Sequence, residues 1–175
     1  MGSDMLDFTL DQEQEMLERT IQRFSEERVR RAFRENEESG NIAPELRRAG
    51  WEIGVLPTGL PEEYGGFGEY SALTAAIAAE GFAWGDLATA LSIMAPNLFA
   101  IPVLLSGSEE QKEQLLPQFC EMSPPAVTAA LVEPVIRFDP RNLQTVARRE
   151  DGHYVLDGAK SMVPLAADAE QILLY

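Results

Sequence analysis

The sequence predicts an α+β fold, with an all-helical front followed by strands, on three observations. Apolar residues at the front recur near the 3.6-residue helical spacing: Leu17, Ile21, Phe24 and, after a small drift, Val29 and Phe33. Strand-sized runs then appear, an apolar one at residues 127–132 and others rich in Val, Leu, Tyr and Thr at 144–149, 153–156 and 171–175, parted by Asp151-Gly152 and Asp157-Gly158 turns. Between these patterns lies Ser123-Pro124-Pro125, where helix cannot continue. The expected division is a helical domain over 1–123 and the beginning of a β domain over 124–175.

Thr9 can cap the first helix, with Gln12 in the reciprocal position and Phe8 ahead of it as a hydrophobic staple. Its far end bunches Arg28, Arg30, Arg31 and Arg34, which suits a helix C-terminus and gives nearby carboxylates something to pair with. Pro44 opens a short helix that Gly50 is expected to close. The stretch LPEEYGGFG, residues 60–68, reads as a shaped loop, because it lacks the GxGxxG spacing of a dinucleotide fingerprint. Ser71, Asp86 and Ser108 are positioned to cap three further helices, and Gln111 completes a capping box with Ser108. Residues 87–105 are apolar and uncharged, yet Pro96-Asn97 interrupts them and the flanks are acidic, so paired buried helices are expected over a membrane span.

With 29 acidic against 14 basic residues, the formal charge is −15. Such a surface repels nucleic-acid backbones and anionic membranes. Cys120 is the single cysteine, so neither an internal disulfide nor a Cys-rich metal site can form. Residues 1–10 hold Asp4 and Asp7 and no basic side chain, unlike a secretory leader, and a cytoplasmic location is expected.

Few residues suggest chemistry on their own. His153 is the only histidine and follows a turn at a strand start, so no His-based metal site is expected. No G-x-S-x-G elbow surrounds Ser123 or Ser161. Glu80 reads as a structural helix residue and Cys120 as a small core filler. Glu133 and Asp139 flank a loop after the first strand and are placed to receive backbone donors. That loop lies at an inter-domain edge, where pockets commonly form.

In combination and in order, Gly50-Trp51, LPEEYGGFG, the helix ending AAEG, GSEEQKEQLLP, ALVEP and DGHYVLDGAK make the chain resemble the acyl-CoA dehydrogenase family over nearly its whole length. The resemblance implies a helical domain followed by an incomplete β-barrel-like domain; family members add a C-terminal helical bundle. It implies an association with α,β-desaturation of an acyl thioester: a carboxylate removes the α proton and the β hydrogen passes as hydride to FAD. Partners implied are an acyl-CoA or acyl-carrier ligand and a homo- or hetero-oligomer, completed by a C-terminal helical region or a partner subunit.

Two segments correspond to the family's flavin contacts. Where the motif resembles L-T-E-P-x-x-G-S-D, this chain has Leu131, Val132, Glu133, Pro134, Val135, Ile136, Arg137, Phe138 and Asp139. Where it resembles K-x-aromatic-I-Thr/Ser-N, the chain has Lys160, Ser161, Met162, Val163, Pro164 and Leu165. The cofactor-facing candidates are therefore Leu131, Val132, Arg137, Phe138, Met162, Val163 and Pro164, with no catalytic and no metal-binding residue assigned. Hydroxyl and small residues have given way to apolar or bulky ones. The isolated chain is thus expected to be inactive, either as a piece of a longer family-like polypeptide or as a short subunit completed by a partner, with a non-catalytic, flavin-free role in assembly or acyl-ligand binding as the alternative.

Overall fold

The computed structural model describes residues 9–175. Helix α1 (Gln12–Phe24) starts at Asp11, whose carboxylate accepts from the Gln14 amide at 2.8 Å while the Gln14 side chain returns to the Asp11 amide. The cap therefore falls two residues beyond the expected Thr9. Both sites fit the capping-box pattern, and a carboxylate gains more from the positive end of the helix dipole than a hydroxyl does. The expected staple residue, Phe8, lies outside the described residues.

The drift in apolar spacing has a physical cause. Residues Ser25–Val29 form a π turn, which inserts an extra residue before α2 (Arg30–Ser39). It presses Ser25 and Val29 onto Gly85 of α4 (Ala72–Gly85), where an added Cβ would stand 2.9 Å from Val29 Cγ1, and the Ser25 hydroxyl donates to the Gly81 carbonyl at 2.9 Å. Past the π turn the register has changed, so Phe33 is 39% exposed instead of buried and Asn36 faces inward. Two of the four arginines lie on ring faces where carboxylate partners were expected: Arg28 is 5.6 Å from the Phe24 centroid and Arg30 4.7 Å from that of Trp84.

Helix α3 (Pro44–Trp51) runs through Gly50 instead of stopping there. Gly50 is buried against Ile93, where an added side chain would collide, and the left-handed turn falls at Gly54 with φ +83°. Ser71 caps α4 and Asp86 caps α5 (Leu87–Met94), accepting from the Thr74 and Thr89 amides at 3.2 and 2.7 Å. Helix α6 (Asn97–Ser106) follows Pro96, and Ser108 with Gln111 boxes the start of α7 (Glu109–Leu115). Among the described residues no single helix is long and apolar enough to cross a membrane, and the apolar pair α5–α6 is bent by 43°.

Two cores result. One gathers Ile21, Phe24, Val29, Leu46, Phe82 and Ile93. The other gathers Trp51, Leu60, Tyr64, Phe99, Leu116 and Phe119 and takes in Val127. Through Val127, strand β1 (Val127–Ala130), buried at every position, is fastened to the helices. It pairs in parallel with β4 (Gln171–Leu174), Val127 opposite Gln171, while β2 (Val146–Glu150) and β3 (His153–Asp157) form an antiparallel hairpin.

Candidate functional site

Glu133 organises the end of β1. It is buried, and its two carboxylate oxygens gather the Gln144 amide at 2.7 Å, the Thr145 amide at 2.8 Å, the Thr145 hydroxyl at 2.6 Å and Lys160 Nζ at 2.9 Å. These donors, the Thr145 hydroxyl foremost, hold its carboxyl down to about 2 against the opposing effect of burial. Lys160 Nζ also donates to the Leu131 carbonyl at 3.3 Å, and the Ser161 amide donates to the Val132 carbonyl at 2.8 Å. Three stretches far apart in sequence are thereby tied at one point. The same network shortens the strands: Gln144 and Thr145, expected inside a strand, give their amides to Glu133 and not to a ladder, so β2 begins at Val146.

The structure thus brings residues 131–132 and 160–161 side by side. Val132, Val163 and Pro164 are half-buried there, as is Leu131, while Met162 is 81% exposed. Arg137 stands exposed on the intervening loop and Phe138 half-buried beside it. Arg137, Met162 and Leu165 all adopt left-handed backbone, with φ of +62°, +51° and +52°. Non-glycine residues in this region are uncommon and concentrate where surrounding structure forces them. Asp139 accepts from the Arg141 amide at 3.0 Å, closing the loop.

Of these features, the partnership of Glu133 with Lys160 across 27 residues was not anticipated from the sequence. One signal existed: Lys160 is the only Lys or Arg between Glu150 and Tyr175. The other candidates take structural positions. His153 is exposed opposite Glu150 in the hairpin and Glu80 is exposed on α4. Cys120 is half-buried with its thiol pushed up by burial. Among the described residues no group of three or more His, Cys, Asp or Glu could hold a metal ion. A cleft of about 700 Å³, lined by Leu17, Val55, Phe67, Tyr70 and Thr74 among others, lies between α1, the 53–71 loop and α4 and touches none of residues 131–164.

The architecture is an α+β one: a helical bundle whose second core takes in the first strand of an unclosed sheet, with two loop segments pinned together at that strand's end. Residues 11–123 match the family model described as "Acyl-CoA dehydrogenase, N-terminal domain", and the chain belongs to the acyl-CoA dehydrogenase family. It is 27% identical over 158 residues to a probable medium-chain specific acyl-CoA dehydrogenase of Caenorhabditis briggsae, covering 90% of this chain and 38% of that protein. The structure of butyryl-CoA dehydrogenase from Megasphaera elsdenii superposes with a TM-score of 0.82 at 27% identity, over 97% of this chain and 45% of the other. A glutaryl-CoA dehydrogenase from Mycobacterium smegmatis in complex with FADH2 superposes with a TM-score of 0.79 at 26% identity, over 93% and 42%. The chain spans 38–44% of the length of the first curated relatives it matches.

FAD binding is a property of the family, and the resemblance expects its contacts at these two segments. Val132 has no hydroxyl and its carbonyl is already engaged by Ser161. Pro164 has neither hydroxyl nor amide hydrogen. Lys160 is committed to Glu133 and Leu131. The side chains present do not fit the polar edge of a flavin.

Proposed function

We propose that this chain is the helical and early β part of an acyl-CoA dehydrogenase-type oxidoreductase assembly that desaturates an acyl thioester, and that the chain alone turns over nothing. The observation that carries the reading is the buried Glu133–Lys160 pair, which holds residues 131–132 against residues 160–161, where the family resemblance places ligand-contacting segments. The chain's contribution is positional. Glu133 cannot serve as the base, because a carboxyl held near 2 and saturated with donors has little tendency to take up a proton at neutral pH. Asp139 is turned to its own loop. On this reading the base comes from other polypeptide, either further residues of the same protein or a partner subunit in a homo- or hetero-oligomer.

The test is native mass and absorbance on one sample of the complex isolated from its natural source, followed by dye-coupled reduction with a series of saturated acyl-CoA thioesters. The expected result is an assembly carrying stoichiometric flavin that acyl-CoA bleaches, with no turnover by the 175-residue chain alone. An assembly that neither contains flavin nor responds to any acyl-CoA would overturn it. A second reading, a flavin-free homologue that serves assembly or binds an acyl ligand, is favoured by the apolar and bulky groups at Val132, Phe138 and Pro164. A colourless homo-oligomer that binds acyl-CoA without oxidising it would select that reading.

A further inference from the structure

The cleft between α1, the 53–71 loop and α4 has no part in the desaturation reading, and its wall and mouth differ in chemistry. Its volume of about 700 Å³ suits a small organic molecule. The inner wall is apolar: Leu56 is buried and Leu17 and Ile101 are half-buried. One polar side chain interrupts that wall. Asn97, at the start of α6, is only 9% exposed, yet its side-chain amide has no hydrogen-bond partner among the described residues. Burying an amide without partners is unfavourable, and a ligand that supplies them recovers the loss.

The mouth has the opposite character. Asp11, Glu13 and Glu69 stand exposed around it, and no Lys, Arg or His is among the described residues that line it. Neither Glu13 nor Glu69 makes an ion pair among the described residues. Phe67, 73% exposed, and the half-buried Tyr70 bring two rings to the same rim. Carboxylates and ring faces together attract a cation and repel an anion. The phosphates of a coenzyme A ester and the carboxylate of a free fatty acid are thereby disfavoured.

We propose that this cleft binds a small organic cation: an ammonium at the carboxylate rim, an aromatic or alkyl body along Leu17, Leu56 and Ile101, and a neutral hydrogen-bonding group that reaches Asn97. The inference is independent of the desaturation reading, since the cleft touches none of residues 131–164. Residues 1–8 are a poorer occupant: Met5, Leu6 and Phe8 are apolar, but Asp4 and Asp7 would add charge to a rim already acidic.

The experiment titrates tyramine, phenethylamine and 3-(4-hydroxyphenyl)propionate into the nitrogen-15-labelled 175-residue chain and follows the Asn97 side-chain and Ile101 backbone resonances by NMR. Tyramine should bind saturably at about millimolar concentration, as suits a ligand of about ten heavy atoms. Phenethylamine, which lacks the hydroxyl, should bind about two- to tenfold more weakly, and the propionate should not bind. Asn97→Leu should abolish the difference between the two amines. The double variant Glu13→Gln/Glu69→Gln changes only exposed residues and should weaken both amines about two- to fivefold, so it tests the rim if the Asn97 variant does not fold. Absence of a saturable shift with tyramine would overturn the inference. So would equal binding of the propionate, a tyramine preference that survives Asn97→Leu, or amine affinity unmoved by the rim variant. Binding that appears only after residues 1–8 are removed would assign the cleft to the chain's own N-terminal segment and overturn it as well. Neither flavin nor acyl thioester is present, so each result leaves the desaturation reading to its own test.

Discussion

Two halves of this molecule reach order by different means. The helices between Asp11 and Phe119 bury their apolar faces against one another, in two cores that contain Phe82 and Phe119 at about 1% exposure or less. The hairpin β2–β3 buries nothing: all ten of its strand positions are exposed, Val146, Tyr154, Val155 and Leu156 included. What fixes the chain around that hairpin is polar, the cluster on Glu133, together with a small apolar anchorage, Val127 and Leu173 packed on the helical core. Hydrophobic burial is tolerant of small shifts, whereas a buried carboxylate requires its donors in place. The helical half is thus held by many weak contacts and the β half by few strong ones.

The sharpest way to break that comparison is to empty each core in turn. Phe82→Ala removes a ring that meets Phe24 edge-on at 6.0 Å, and should cost about 3–5 kcal/mol in denaturant unfolding. Because its core contains no β residue, exchange protection of the Gln144 and Thr145 amides should survive in the folded fraction. Phe119→Ala should cost a similar amount and weaken both halves, since Val127 shares its core. Equal loss of protection at Gln144 in the two variants would show that the halves unfold as one unit.

Glu133→Gln attacks the other half. It leaves Lys160 buried without its counter-charge and replaces one acceptor oxygen by a donor, so the Gln144 and Thr145 amides should exchange about 100-fold faster while the helical amides keep their rates. Acid should act in the same place without mutation. A carboxyl held near 2 in the folded protein, against an ordinary value of 4.5, contributes stability that is complete above about 4.5 and is lost as pH falls toward 2. Hydrogen exchange followed from pH 6 downward should therefore show residues 131–145 and 160–161 loosening in that window. Unchanged protection there down to pH 2 would contradict the assignment.

Much of the helical half was legible because its signals are local. Ser71, Asp86 and Ser108 each cap the helix they precede, and a cap needs only its own amides three residues on. Even the π turn left a trace, the slip between Phe24 and Val29. The misread cap at Thr9 arose because Thr9–Gln12 and Asp11–Gln14 fit one pattern in overlapping positions. The β half was legible in its strands and less so in its site. Glu133 was visible as an acceptor of backbone donors, but Lys160 lies 27 residues away, and nothing local records that the two meet. The left-handed geometry at Arg137, Met162 and Leu165 was likewise invisible, since none is a residue type that announces positive φ.

The smallest expected effect probes the boundary of the helical half's apolar order. Arg30 stacks 4.7 Å from the Trp84 centroid and donates to the Trp84 carbonyl at 3.0 Å, tying the start of α2 to the end of α4 beside the Gly85 contact. Trp84 is 52% exposed, so Arg30→Ala should cost only about 0.5–1 kcal/mol, the value of an exposed cation–π pair. The optical effect should be clearer. Trp51, the only other tryptophan, is buried with its indole N–H on the Glu121 carbonyl, so any rise in acrylamide quenching reports Trp84 alone. If quenching rises with stability nearly unchanged, the arginine shields a ring that the core does not need. A loss several times larger would mean that this contact holds the start of α2 to the end of α4, and the helical half would then depend on a single polar contact as the β half does on Glu133.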